Sequence, residues 1–189
     1  MKNTFCLFLI LCVTGVRLHA QMPASNQFIY GDALPDAPAL AARGEYAVGV
    51  RTLHWVNNNQ LNILQAKDGV TPMYNRPVTV EVWYPAIIPK GKTALSTYTD
   101  VLGSLRDSTR PLKPFQFYGR SLRDAAPLVS SAPYPLVIVS HGFPGSRVLL
   151  TYLTENLASK GYVVVAIDHA ESTHADAAGF ASTLLNRAP

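Results

Sequence analysis

The sequence predicts an α/β fold built around a parallel strand–helix–strand unit. An aliphatic run, LVIV, occupies residues 136–139, and a second run, YVVVAID, occupies residues 162–168. Such runs are typical of strands covered on both faces of a sheet. Between them, roughly 14 residues carry leucines at helical spacing, which predicts a helix with a right-handed crossover between two parallel strands.

Length and composition predict one folded domain. The chain has 189 residues, of which 48% are hydrophobic and 15% are charged. A chain of this size and composition can bury a core and is not an extended disordered polymer.

The first 20 residues have the composition of a secretory signal peptide. Lys2 precedes an apolar run over residues 5–16, and Ala20 follows it closely. The run is shorter than the roughly 20 residues that a membrane span needs. We therefore predict a signal peptide over residues 1–20, cleaved after Ala20, and a secreted or periplasmic protein without an integral membrane span. The rival interpretation is an uncleaved membrane anchor.

Removal of the signal peptide would change both the cysteine content and the charge. Cys6 and Cys12 both lie in it, so the mature chain would have no disulfide, thiolate nucleophile or cysteine metal site. The 16 Lys and Arg residues exceed the 12 Asp and Glu residues by four, and loss of Lys2 and Arg17 halves that excess. With no run of basic residues either, we expect no nucleic-acid partner.

Before the strand–helix–strand unit, the chain alternates between strand patterns and irregular stretches. Residues 21–43, rich in Ala, Pro and Asp, are predicted to form an exposed N-terminal lead. Residues 45–56 are rich in Val and aromatic residues and predict a first strand. Residues 57–76 predict a turn or an irregular hairpin. Apolar and polar residues alternate in VTVEVWYPA, residues 78–86, which predicts a second strand that ends at Pro85.

Residues 90–132 show the weakest pattern. We interpret them as a connection that packs its aromatic side chains on the core, with a flap beside a substrate pocket as the alternative. In the helix that follows, Ser146 is the predicted N-cap and Gly161 the predicted stop. The predicted apolar stripe of that helix consists of Leu149, Leu150, Leu153 and Leu157.

The turn SHGFPG, residues 140–145, follows the first buried strand. Ligands of open α/β sheets bind at the carboxyl ends of strands. The spacing of glycines and the absence of a following lysine exclude a phosphate-binding P-loop and a dinucleotide fingerprint. The remaining chemistry is an oxyanion hole, in which backbone N–H groups stabilise the negative charge of an acyl-transfer intermediate. Phe143 would donate its N–H, Gly142 would allow close approach, and Pro144 has no N–H to donate.

The chain resembles α/β-hydrolases, namely bacterial relatives of platelet-activating-factor acetylhydrolase and dienelactone-hydrolase-like esterases. The resemblance rests on PYPLVIVSHGFPGSR, SKGYVVVAIDH, YAVGVRTL, VEVWYPA and RDAAP, and it runs from about residue 44 to 175. It implies that residues 44–189 form the N-terminal part of such a domain. The implied fold class is an incomplete α/β-hydrolase fold, truncated before the nucleophile elbow.

The same resemblance implies a serine hydrolase that acts on carboxylic esters, such as lipid acetyl esters or small lactones, without a metal or organic cofactor. His141, Gly142 and Phe143 would form the oxyanion turn. The family's nucleophile motif, G-x-S-x-G, is absent, so we expect the catalytic Ser, acid and His downstream and no activity from this chain alone. The alternatives are an inactive truncated fragment and a non-enzymatic binding protein of the same ancestry.

Two further combinations of residues could carry chemistry, and both are disfavoured. Ser140 and His141 are neighbours on a predicted strand and would point to opposite faces, so His141 is expected to brace the turn rather than to act on Ser140. A metal site was considered for Asp168, His169, Glu171, His174 and Asp176. The two histidines of this group are five residues apart and no H-E-x-x-H is present, so we predict a solvated loop in which Asp168 bonds nearby amides.

Overall fold

The computed structural model describes residues 29–32, 39–103, 109 and 111–176. The predicted signal peptide lies outside the described residues, as does part of the predicted N-terminal lead. Within the described ranges, no helix is both long enough and apolar enough to cross a membrane.

The described chain contains eight strands and one α-helix. The elements are β1 (Val48–Leu61), β2 (Met73–Ile87), β3 (Ser96–Leu102), β4 (Lys113–Gly119), β5 (Leu122–Arg123), β6 (Ala126–Pro127), β7 (Leu136–Ser140), α1 (Thr151–Ser159) and β8 (Val163–Asp168). Short 3₁₀ turns occur at Ala39–Ala41 and Ile63–Gln65. This order confirms the predicted α/β character.

The main sheet is mixed, with the strand order β5-β1-β2-β8-β7 and with β6 paired to β2. β1 and β8 are both antiparallel to β2, whereas β7 and β8 are parallel to each other. The helix α1 connects β7 to β8, so the predicted strand–helix–strand unit is present. β3 and β4 form a separate two-stranded antiparallel sheet.

The β1–β2 hairpin is longer than predicted. β1 continues to Leu61, and β2 passes through Pro85 instead of ending there. Pro85 keeps its place in the ladder opposite Val48, and its carbonyl accepts a bond from the Leu128 N–H. Proline removes one donor but still accepts, so a strand continues where its missing N–H is not needed.

The strand β7 is covered on one face, not on both as predicted. Val137 and Val139 pack against the core, whereas Leu136 and Ile138 are 60% and 65% exposed. An aliphatic run shows that both faces of a strand can be buried. Burial of the second face also requires another element that packs against it. In the described residues, the single α-helix packs on the Val137 side.

The helix α1 ends as predicted but begins later and buries a different face. Gly161 has a φ of +94°, and the Tyr162 N–H returns to the Leu157 carbonyl in a Schellman-type ending. The predicted N-cap is wrong, because α1 begins at Thr151, and the Ser146 hydroxyl instead donates to Asp100 Oδ2 at 2.6 Å.

The predicted leucine stripe of α1 is wrong in part. Leu157 packs against the core, but Leu149 and Leu153 are exposed. The buried residues of the helix are Thr151, Thr154, Glu155, Ala158 and Ser159. This polar face packs towards the β3–β4 hairpin, where Glu155 Oε1 accepts from the Tyr98 hydroxyl at 2.8 Å. Within the stretch predicted as a connection, the described residues thus include two paired antiparallel strands. The expectation that its aromatic residues pack on the core holds for Tyr98 and Phe117.

The described parts of the predicted N-terminal lead contact the rest of the domain. The Tyr30 ring packs edge-on against Phe117 and Tyr152, at 5.2 and 5.5 Å between ring centroids. Arg43 lies 3.5 Å from the buried Glu155 carboxylate. These segments therefore cover the hairpin side of the helix.

Candidate active site

The carboxyl ends of β7 and β8 bring together two segments that are distant in sequence. Because the two strands are parallel and adjacent, with Ser140 opposite Ile167, the residues that follow them meet at one edge of the sheet. Residues 141–144 belong to no strand or helix. The Gly145 N–H donates to the Ser172 carbonyl at 3.1 Å, which ties the far end of the turn to the loop after β8.

His141 is buried and contacts both segments. Its Nδ1 lies 2.6 Å from the Gly142 carbonyl oxygen, and its Nε2 accepts the His169 backbone N–H at 3.2 Å. A carbonyl can only accept and a backbone N–H can only donate, so His141 is neutral with its proton on Nδ1. Both ring nitrogens are therefore engaged in holding the backbone, as expected for a residue that braces the turn.

The contact between His141 and Gly142 determines how the next peptide group is oriented. The peptide between Gly142 and Phe143 is trans, so its N–H points opposite to its C=O. Since the Gly142 carbonyl points towards the His141 ring, the Phe143 N–H points away from that ring. The His141 side chain thus helps to orient the predicted oxyanion donor.

The two glycines of the turn have different surroundings. A Cβ on Gly145 would lie 2.7 Å from His141 Nδ1 and 3.0 Å from the Gly142 carbonyl oxygen, so the ring and the turn close over this glycine. Among the described residues outside its chain neighbours, a Cβ on Gly142 would meet no atom within 4 Å. Gly145 is therefore required by packing, whereas no packing contact of this kind limits Gly142 in the described part of the chain.

Asp168 links the end of β8 to Arg147, two residues after the turn. Its Oδ1 accepts the Arg147 backbone N–H at 2.6 Å and its Oδ2 accepts Arg147 Nη1 at 2.5 Å. Arg147 Nε also donates to the buried Glu81 at 3.1 Å. Burial alone would lower the pKa of the Arg147 guanidinium, but the two carboxylates raise it above its ordinary value. The arginine stays charged and bridges β2 to β8.

Ser140 forms a pair with His169 that the sequence interpretation missed. Ser140 Oγ lies 2.7 Å from His169 Nε2, and the His169 ring packs edge-on against the His141 ring at 5.1 Å between centroids. Only Ser140 and its neighbour His141 had been considered together. The signal available in the sequence was that Ser140 ends one parallel strand and His169 directly follows the other, since such ends meet in space.

The acidic and histidine side chains at and after the end of β8 do not point to a common metal position. Asp168 binds Arg147, His169 contacts Ser140, and Asp176 Oδ2 accepts the Glu171 backbone N–H at 3.1 Å. Among the described residues, no group of three or more His, Cys, Asp or Glu side chains is arranged to hold a metal ion.

Comparison with known proteins identifies relatives of this fold. The family model of platelet-activating factor acetylhydrolase, isoform II, matches residues 112–185, which include the turn and the strand–helix–strand unit. The solved structure of a ferulic acid esterase from Streptomyces cinnamoneus matches with 29% sequence identity and a TM-score of 0.50. The chain is related to α/β-hydrolase-like esterases. The resemblance found in the sequence is thereby confirmed.

The match to the esterase structure is uneven in length. It covers 71% of this chain but 37% of the ferulic acid esterase. Esterase activity is therefore proposed below for the protein that contains this chain.

Proposed function

We propose that this chain supplies the oxyanion-binding turn of an exported serine hydrolase that acts on carboxylic esters. The observation that carries the proposal is the 2.6 Å contact between His141 Nδ1 and the Gly142 carbonyl oxygen, which orients the Phe143 N–H. A donor held in place before the reaction stabilises a developing oxyanion without reorganisation.

In the proposed reaction, a serine hydroxyl attacks the ester carbonyl while a histidine accepts its proton. The carbonyl oxygen becomes an oxyanion and accepts a hydrogen bond from the Phe143 N–H. The alkoxide leaves with the proton from the histidine, and water hydrolyses the acyl-enzyme by the same route. Neutral His141 does not take part in proton transfer, because both of its ring nitrogens hold backbone groups.

The nucleophilic serine of this proposed reaction would lie outside the 189 residues of this chain. The sequence contains no G-x-S-x-G, and the ferulic acid esterase extends well beyond the region matched here. The first test is to translate the coding DNA past codon 189. A G-x-S-x-G with a later acid and His supports the proposal, whereas a stop codon at that point contradicts it.

The second test uses the longer protein encoded by the DNA that continues past codon 189, with an uncharged chromogenic acetate ester as substrate. Replacing Phe143 by Pro removes the N–H and should lower kcat by roughly 10²–10³-fold. Phe143→Leu keeps the N–H and serves as the matched control. If both variants are folded by circular dichroism and are equally active, the Phe143 N–H does not stabilise the oxyanion. Ligand binding without turnover in the parent protein would favour the non-enzymatic alternative.

Substrate and export are further parts of the proposal. The two relatives suggest different esters, namely the acetyl esters implied by the acetylhydrolase family and the aromatic acid esters implied by the ferulic acid esterase. Parallel assays with an acetyl lipid and a feruloyl ester discriminate between them. N-terminal sequencing of the protein recovered from outside the cytoplasm should begin at Gln21 if the signal peptide is cleaved after Ala20.

The contact between Ser140 and His169 favours a second candidate, in which this pair itself performs acyl transfer. Their separation of 2.7 Å is within the reach that a nucleophile and its base require. A fluorophosphonate probe applied to this chain distinguishes the two candidates. We expect no labelling. Labelling that Ser140→Ala abolishes and that Ser130→Ala leaves unchanged would favour the second candidate.

A further inference from the structure

Arg76 is a largely buried residue whose charge has no counter-ion among the described residues. It lies in β2, opposite Asn57 of β1, and is 7% exposed. Among the described residues, no carboxylate forms an ion pair with its guanidinium. A buried arginine is ordinarily paired, because an isolated buried charge is costly.

Arg76 lines a cleft at the same edge of the sheet as the candidate active site. The cleft has a volume of about 110 Å³ and is lined by Asn57, Arg76, Pro77, Val78, Ile167, Asp168 and His169. β2 pairs with β8 as far as Thr79 opposite Asp168, so Arg76 lies just past the carboxyl end of β8. The charge is therefore located where ligands of α/β sheets bind.

Strand alternation places Arg76 on the face of the sheet that is opposite α1. Glu81 and Asp168 both bind Arg147 and mark the α1 face. Residues of even number in β2, including Arg76, and of odd number in β8 lie on the other face. His169, which follows β8, is on the same side because its ring contacts Ser140, the partner of Ile167. Ser140, which contacts His169, adjoins this row.

The polar groups of the cleft favour an anion. The Asn57 amide oxygen accepts from Gln60 Nε2 at 3.2 Å, which leaves its Nδ2 as a donor. Asp168 also borders the cleft, but its two oxygens already accept from Arg147, which balances its charge. The guanidinium presents paired donors that match the oxygens of a carboxylate or a phosphate.

We propose that Arg76, together with Asn57 Nδ2, forms a binding site for a small oxyanion, either a carboxylate or a phosphate group. The site lies beside the oxyanion turn and does not depend on the proposed esterase activity. Binding would provide a counter-charge to the guanidinium that lines the cleft.

The test is thermal unfolding of this chain with inorganic phosphate or with acetate, against chloride at the same ionic strength. Binding to the folded state raises the melting temperature, and we expect a rise of about 3 °C or more for at least one of the two anions. Comparing phosphate with acetate identifies the preferred anion. Arg76→Gln should abolish the rise, whereas Arg51→Gln, which removes an exposed arginine, should retain it.

A second measurement keeps the test decisive if Arg76→Gln fails to fold. Titration of the wild-type chain with the same anions should shift the Arg76 Nε–H resonance in NMR spectra, and Arg76→Lys should weaken binding severalfold because it loses the planar pair of donors. The absence of any anion-specific rise in the wild type would overturn the proposal. So would a rise that Arg76→Gln retains in full.

Discussion

Arg147 donates both its backbone N–H and its Nη1 to the carboxylate of Asp168, at 2.6 and 2.5 Å. The two residues are 21 positions apart and are joined because β7 and β8 run parallel. The Asp168 carboxylate thus holds Arg147, two residues after the turn, against the end of β8. This arrangement makes Asp168 a positioning residue for the candidate site.

Asp168→Asn tests this link. Asparagine keeps an oxygen for the Arg147 N–H but loses the charge, and we expect a loss of about 2 kcal/mol in unfolding free energy. The matched control is Asp124→Asn, whose ion pair with Arg51 is largely exposed and should change stability by less than about 1 kcal/mol. Urea unfolding measures both variants, and equal losses would contradict the role of Asp168.

The two turn glycines provide a second prediction. Gly145→Ala should destabilise the fold by about 1–3 kcal/mol, because its Cβ would collide with the His141 ring. Gly142→Ala should change stability by less than about 0.5 kcal/mol, because no described atom beyond its chain neighbours lies within 4 Å of the added Cβ. Thermal unfolding of the pair checks the packing, and a larger loss for Gly142→Ala would show that the turn is arranged differently.

The buried Glu155 makes stability depend on pH. Burial raises the pKa of its carboxyl above the ordinary 4.5, although bonds from Tyr98 and the Arg120 N–H oppose the shift. The folded state then binds the proton more tightly than the unfolded state. Its contribution to stability is fully present below pH 4.5 and is lost as the pH rises through the raised value.

Glu155→Gln should remove that part of the pH dependence. It should also lower stability near neutral pH by about 1–3 kcal/mol, because an amide group cannot accept from both donors. Urea unfolding across the acidic to neutral range measures both effects. An unchanged dependence on pH in the variant would show that another group titrates.

The end of α1 gives a fourth prediction. Gly161 has a φ of +94°, which most side chains adopt only with strain. Gly161→Ala should cost about 1 kcal/mol, and Gly161→Asn should cost less because asparagine tolerates this conformation. A Cβ at this position would also lie 3.1 Å from Tyr46 Cε2. Thermal unfolding ranks the two variants, and the reverse order would show that this contact, rather than φ, limits the position.

The local elements of the fold could be predicted because they depend on local chemistry. The aliphatic runs and the alternation of apolar and polar residues predicted the strands, and Gly161 predicted the end of α1. The SHGFPG sequence predicted where the turn lies. The predicted helix face was wrong at Leu149 and Leu153 because the buried face of α1 is largely polar. Glu155 is buried since Tyr98, 57 positions away, donates to it. A spacing rule for apolar residues carries no information about such a partner.

The sequence by itself determined the strand–helix–strand unit, the place of the SHG turn and the relationship to esterases. Only the tertiary structure decided which side chains meet there, namely His141 with Gly142, Arg147 with Asp168, and Ser140 with His169. It also showed that Arg76 is buried without a counter-charge among the described residues. The physical reason is that patterns report the conformation of each segment, whereas hydrogen bonds and ion pairs between distant segments depend on which strand ends the sheet brings together.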